Sequence, residues 1–381
     1  MKDDLVQDRD IRVLEAIGGA IKNRGQDGFV LSLAENLDMD GLKVDCIVPY
    51  DCPFKSYRER MEQNKVHLYE LGIPYDPRRS VNGIYRPLLR FLKSHPYDII
   101  HIHSSKTTMM AMMAVAAKKA GVKKIIVHAH SGGSGSSLKH SLLRRAGNLS
   151  MKKNVDVYCA CSRAAAEWKF AGQNAENALI IRNGIETERF RYDISAGKSI
   201  RERMGIPQEA YVIGNVGSLT EVKNQSFILE ILKAMDDDTY LLLVGEGEDR
   251  PALEHKVFEG NISGRVFFAG SVSNVRDYLS AMDVFVFTSL YEGFGTAALE
   301  AQASGLPVVA SDRVPGDIEI TDDVRFLPLE AGAEVWAKEI RNFRNSDRTD
   351  RSGRVREAGY DVRESMESIR KLYLDLALDA D

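Results

Sequence analysis

Disulfides, membrane spans, metal motifs and nucleic-acid motifs are all missing from this sequence. Its four cysteines, Cys46, Cys52, Cys159 and Cys161, are too few and too irregularly spaced for a disulfide framework or a zinc site. Cys159 and Cys161 lie on the apolar run "DVYCACS", where strand residues two apart face one side, so buried thiols are expected rather than a redox pair. No run of about eighteen apolar residues occurs, and the acidic start "MKDDLVQDRD" is unlike a signal peptide. The expected location is the cytoplasm. No Asp-x-Asp pair stands in a loop suited to a metal, and Asp236, Asp237 and Asp238 read as a turn before a strand. The expected metal count is none.

What is present is enough apolar material for more than one core. A chain of 381 residues with 44% hydrophobic residues is best divided into two domains. The net charge of −4 hides an asymmetry: residues 1–185 carry about +9 and the remainder about −13, with about +14 between Arg78 and Lys153 alone. So one-sided a block needs an acidic partner. Without a nucleic-acid motif beside it, an anionic membrane surface is the expectation, against the plainer alternative of a solvated face.

Apolar runs alternate with helical patterns almost throughout, which argues for parallel sheets flanked by helices. Strands are expected near "IRVLEAI", "LKVDCIV", "YDIIHIH", "KKIIVHAH" and "VDVYCA", then near "YVIGNVG", "TYLLLVG", "RVFFAG", "DVFVFTS", "LPVVAS" and "VRFLPL". The two halves share a plan. Between them Asn183-Gly184 marks a turn in "LIIRNGIETERF". The expected domains are 1–186 and 187–360, with a terminal helix over 361–381 packing back on the first.

The stretch "YEGFGTAALEAQASG" carries two carboxylates eight positions apart, Glu292 and Glu300. With a helix from about Thr296, the first sits in the loop before it and the second one turn inside. A helix start presents unpaired N–H groups and a partial positive charge, so it attracts phosphate, and Gly293 and Gly295 let the backbone come close. A glycine loop leaving a parallel strand and entering a helix is where open α/β sheets bind ligands.

These segments, with "NVGSLTEVKNQ", "LLLVGEGEDR" and "IIVHAHS", occur in an order that resembles the family 4 glycosyltransferases of the GT-B fold, of the exopolysaccharide and capsule type. The resemblance implies an α/β chain of two Rossmann-like, doubly wound parallel-sheet domains facing across a cleft, acceptor in the first and donor in the second. It implies that Glu292 holds donor-sugar hydroxyls and Glu300 the nucleotide ribose, as acceptor-only carboxylates suit polyhydroxylated ligands. Gly295, Thr296 and Ala297 then take the diphosphate, and Phe294 either packs on the sugar or anchors the loop. Lys223 matches the lysine of the diphosphate clamp, whose usual arginine partner is replaced by Ser218. Gly18 and Gly19 match the glycine loop of the first domain, although "NRGQDGF" departs from the pattern after it. His130 matches the histidine near the reacting sugar; His101, His103 and His128 are less well matched. Gly245, Glu246 and Gly247 match the loop around the base.

The function so implied is retaining transfer of a hexose from a nucleoside diphosphate sugar, UDP-linked, to a hydroxyl of a lipid-linked glycan, without cofactor or metal. The nucleotide sugar is a co-substrate. The alternatives are a nucleotide-sugar epimerase on the same fold, or a catalytically weak binding subunit. In "SSLKHSLLRRAGNLSMKKN" leucines alternate with cations, and Lys139, Arg144, Arg145, Lys152 and Lys153 are the expected membrane and acceptor-side contacts.

Overall fold

The computed structural model describes residues 10–21, 25–75, 82–130 and 138–379. The chain divides into two compact units, 1–184 together with 362–381, and 185–361.

In the first unit seven strands form one parallel sheet: β1 (Ile11–Ile17), β2 (Leu42–Val48), β3 (His67–Glu70), β4 (Ile99–His103), β5 (Lys124–Ala129), β6 (Val157–Ala160) and β7 (Leu179–Ile180). Their order is β3-β2-β1-β4-β5-β6-β7. In the second unit β8 (Tyr211–Val216), β9 (Thr239–Val244), β10 (Val266–Gly270), β11 (Val284–Phe287), β12 (Val308–Ser311) and β13 (Val324–Leu327) run parallel in the order β10-β9-β8-β11-β12-β13. Helices cover both faces of such sheets, so central strands are apolar without alternation. All five residues of β4 are buried, as are all four of β11 and of β12.

Local signals set the helix ends. Asp193 caps the helix Ile194–Met204, accepting from the N–H groups of Ser195 and Ala196 at 3.0 Å, and Gly205 ends it at φ 75°. Two short edge strands, β3 and β7, complete the first sheet beyond the five that the sequence pattern marks. "HLYE" mixes polar and aromatic residues, and β7 pairs through only two residues. Neither carries the apolar run that a central strand needs.

The last helix, Val362–Leu378, belongs to the first unit. Val362, Met366, Ile369, Tyr373 and Leu376 form its buried stripe, at helical spacing, and share a core with Val13, Leu33, Val44, Ile99 and Ile126. The chain therefore leaves the first unit after Gly184 and returns to it at Val362. Ile185 pairs with Asp361 in a parallel bridge and Thr187 Oγ1 donates to Asp361 at 2.6 Å, so the outgoing and returning segments lie side by side.

Ile369 is fully buried in that core, and Ile369→Ala should cost about 2–5 kcal/mol. Hydrogen exchange should quicken across β1, β2, β4 and β5 and stay unchanged across β8 to β12. Equal acceleration in both sheets would contradict the helix's place in the first unit.

Candidate active site

Each sheet reverses its winding once. In the second, the chain builds outward from β8 to β9 and β10, then returns to place β11 on the other side of β8. The loops after β8 and β11 must leave in opposite directions, which opens a crevice beyond the carboxyl ends of these two strands. Both loops named by the sequence meet there. Lys223 Nζ pairs with Glu292 Oε1, Ser289 Oγ donates to the same carboxylate at 2.7 Å, and the ammonium stands 5.6 Å from the centroid of Phe287.

The backbone holds the two loops in register. Leu290 N–H donates to Val222 O at 2.8 Å, and Thr288 Oγ1 donates to the carbonyls of Lys223 and Asn224 at 3.1 Å. Beneath them Asn215 Nδ2 donates to Val286 O at 2.8 Å, while Gln225 Nε2 donates to Ser218 O at 3.0 Å. Asn215 and Gln225 are thus two site-building residues that sequence reasoning missed. Their signal was an amide inside the apolar strand "YVIGNVG" and another at a helix start. Ser218 is half-buried and brings no charge to the clamp.

The loop after β9 is pressed against the loop after β8. A Cβ on Gly245, whose φ is +138°, would lie 1.9 Å from Gly217 O, and one on Gly247 would lie 2.0 Å from Leu219 O. Backbone contact alone therefore requires these glycines. Glu246 between them is paired with Arg250.

Gly295, at φ +105°, leads into the helix Thr296–Ala303, which no side chain caps. No side chain satisfies its opening N–H groups at Thr296 and Ala297. Phe294 is buried and stacks on Tyr360 with ring centroids 5.1 Å apart, so the packing supports its anchoring role. Glu300 is half-buried on the helix, and its carboxyl makes no hydrogen bond or ion pair among the described residues. Burial pushes its carboxyl up to about 7, against the opposing influence of Arg189.

In the first unit the corresponding reversal lies between β1 and β4. Gly18 N–H donates to His103 O at 2.7 Å, and a Cβ on Gly18 would fall within 2.9 Å of Met109 and Ser104. A Cβ on Gly19 would stand 3.3 Å from Gln26 Nε2. Asn23 and Arg24, in the departing segment of the glycine loop, lie outside the described residues.

Beside this loop four buried histidines gather around one carboxylate. Glu15 Oε2 meets His103 Nε2 at 2.6 Å, and Glu15 Oε1 accepts from Tyr373 Oη. His103 Nδ1 meets His130 Nε2 at 2.7 Å; His101 Nδ1 meets Tyr373 Oη at 2.6 Å, and its Nε2 meets His128 Nδ1 at 3.2 Å. Burial pushes Glu15 up to about 8 and holds all four imidazoles below their ordinary value, His101 and His130 at about 3. His101, His103 and His128 each bring a ring nitrogen within 4.8 Å of the others, near enough for a metal ion. Yet both nitrogens of His101 and of His103 are already engaged in hydrogen bonds. Glu15 and Tyr373 were missed by sequence reasoning, although a lone carboxylate inside "IRVLEAI" was the available sign.

The basic helix Leu138–Asn154 turns one face outward: Leu142, Arg145, Leu149, Lys152 and Lys153 are exposed, Leu142 by 68% and Leu149 by 63%. Arg144 is instead tied inward, over the Trp168 ring at 4.7 Å and donating to Trp168 O at 3.1 Å. The side chains of Leu138 and Lys139 lie outside the described ones.

Known proteins share both the sequence pattern and the fold. A "Glycosyltransferase Family 4" model matches residues 24–189, and a "Glycosyl transferases group 1" model matches 197–361. EpsF of Bacillus subtilis is 27% identical over 95% of this chain and 96% of its own length. An Escherichia coli UDP-Gal:alpha-D-GlcNAc-diphosphoundecaprenol alpha-1,3-galactosyltransferase is 26% identical over 77% of this chain and 79% of the relative. Anabaena HepE, solved with UDP, superposes with a TM-score of 0.78 at 18% identity, covering 96% of this chain and 100% of HepE; it has also been solved with UDP-glucose. With those two matched regions and two parallel sheets in the GT-B arrangement, the chain belongs to the family 4 glycosyltransferases.

Proposed function

We propose that this glycosyltransferase moves a hexose from a UDP-linked donor to a hydroxyl of a lipid-linked glycan during polysaccharide synthesis, with retention of configuration and without a metal. The observation that carries the reading is the Lys223–Glu292 pair at the β8–β11 crevice. In one hexosyl diphosphate the sugar hydroxyls and the anomeric phosphate are separated by only a few bonds. A carboxylate and an ammonium one hydrogen bond apart can therefore serve them together, Glu292 accepting from the sugar and Lys223 taking the charge that grows on the departing diphosphate. The uncapped start of the helix Thr296–Ala303 offers N–H groups to the same diphosphate. Glu300 accepts from the ribose, and the UDP bound by HepE together with the donor named for the Escherichia coli relative support uridine as the base.

The lipid-linked acceptor rests on that relative's diphosphoundecaprenol substrate and on the outward face of the helix Leu138–Asn154. Leucines 142 and 149 flanked by Arg145, Lys152 and Lys153 suit an anionic leaflet, each cation contributing about 1 kcal/mol near the surface. Arg144 is left out of this face by its seat on Trp168.

Steady-state kinetics test the division of labour. Lys223→Ala should lower kcat by about 10²–10³-fold, since its target charge develops in the transition state; an unchanged kcat would remove it from the mechanism. Glu292→Gln should damage transfer and leave UDP affinity nearly intact. Donor incubated alone should not be epimerised.

Glu300 gives a pH signature. Its folded-state value lies above the ordinary carboxylate range, so the unliganded protein loses stability from this group as pH rises through about 7. The ionised form is the better acceptor for ribose hydroxyls. Calorimetry should show UDP binding tighter at pH 8 than at pH 6, with proton release near neutrality, and Glu300→Gln should abolish both effects. Affinity independent of pH would contradict the ribose assignment.

Co-sedimentation tests the outward face. Anionic vesicles should bind the protein at low salt and release it as charges are screened, and Arg145→Glu with Lys152→Glu should weaken binding. Salt-insensitive binding, or none, would leave the face merely solvated.

A further inference from the structure

The first unit buries a cation without an anion. Lys169 ends the helix Arg163–Lys169 and is only 6% exposed. Its ammonium donates to Ser105 O, which is its one hydrogen-bond partner among the described residues, so two of its three N–H donors are unused. The charge acting on it is that of a second cation, Arg144 of the helix Leu138–Asn154, which stands over the Trp168 ring and donates to Trp168 O. Neither cation has a carboxylate partner among the described residues. An unneutralised ammonium in the interior is costly, and an anion beside it offsets that cost.

The carbonyl that Lys169 holds lies in the turn between β4 and the helix Thr107–Ala120. That turn leaves the carboxyl end of β4 at the β1–β4 reversal, the place where such sheets bind ligands. No side chain caps the helix it enters, so none satisfies the opening N–H groups of Thr107 and Thr108. Gly147 lets the helix Leu138–Asn154 lie against this start, since a Cβ there would stand 3.1 Å from Thr107 Cγ2 and 3.2 Å from Thr107 O. The next residue, Asn148, ties the two cations together: its Nδ2 donates to Arg144 O and to Lys169 O, each at 3.0 Å. Asn148 Oδ1 is buried and has no partner.

We infer that the first unit carries a phosphate subsite of its own, in which Lys169, Arg144 and the start of the helix Thr107–Ala120 take the phosphate of a glycosyl phosphate. The knot has unused donors that carry positive charge and one unused acceptor, Asn148 Oδ1. Their complement is a ligand with anionic oxygens beside a hydroxyl, which is the chemistry of a sugar joined to phosphate. Ser105 and Lys106 are exposed, so the knot is open to solvent on that side. This rests on the transferase reading above, in which such a phosphate joins the acceptor glycan to its lipid. The donor carries a phosphate of the same kind, but the second unit supplies a separate cation and helix start for it, Lys223 and the helix Thr296–Ala303. Every group of the new subsite belongs to the first unit.

The test adds N-acetylglucosamine 1-phosphate to the full-length, ¹⁵N-labelled protein already saturated with UDP, which separates the two sources of phosphate. The sugar phosphate should still bind, moving the amide signals of Thr107 and Thr108 and leaving those of Thr296 and Ala297 in place. Lys169→Met should weaken it about 10–100-fold, as loss of a charge-assisted hydrogen bond does, with UDP affinity unchanged. With a lipid-linked acceptor the same variant should raise the acceptor KM and not the donor KM. Should Lys169→Met not fold, Arg144→Gln serves, with a loss in the same direction, and the amide shifts of the wild type decide independently. No binding beside UDP, shifts confined to Thr296 and Ala297, or variants that bind as tightly as wild type would overturn the inference and leave Lys169 as a tie to the Ser105 carbonyl. Any of these in a protein that still binds UDP counts against the subsite alone, whereas absence of UDP binding counts against the transferase reading.

Discussion

The reversal of winding between β8 and β11 is the constraint on which the proposed donor site depends. Because the two strands are neighbours whose following loops part, Lys223 and Glu292 can reach each other across the crevice while belonging to segments 69 residues apart. The hydrogen bonds from Leu290 and Thr288 to the opposite loop fix that approach before any ligand arrives. Gly245 and Gly247 extend the same device by letting a third loop lie against the first. A site held by backbone rather than by long side chains is preorganised, so little ordering remains for substrate binding to accomplish.

Much of this was legible in the sequence because it lies in local pattern. Eleven of the described strands announce themselves as apolar runs, and Glu292, Gly295 and Glu300 announce a helix start with acids on either side. Three things were not legible. The first sheet's edge strands β3 and β7 are short, and β3 is mixed in character, so neither carries an apolar run. The pairing of Lys223 with Glu292 is a tertiary contact, and nothing local distinguishes it from two separate ligand contacts. The partnership of Glu15 with Tyr373 spans 358 positions and exists only because the last helix rejoins the first unit.

The two units handle charge in opposite ways. The second gathers cation, carboxylates and helix end at a partly open crevice, suited to a ligand that is itself charged and hydroxylated. The first buries Glu15 and four histidines completely, holding those imidazoles below their ordinary value, and keeps most of its cations outside. Burial explains both Glu15 and Glu300, whose carboxyls are raised because the charged form is desolvated. It also explains Lys169, lowered to about 8 by burial while donating to Ser105 O.

The central claim is that the second unit binds a nucleoside diphosphate at the β8–β11 crevice. Thermal melting with a panel of nucleoside diphosphates tests it most directly, because a ligand at about 100 times its Kd adds roughly 2.7 kcal/mol to native stability. UDP should raise the melting transition of wild type, and should raise it distinctly less in Glu300→Ala. Failure of every nucleoside diphosphate in the panel to shift that transition would contradict the account.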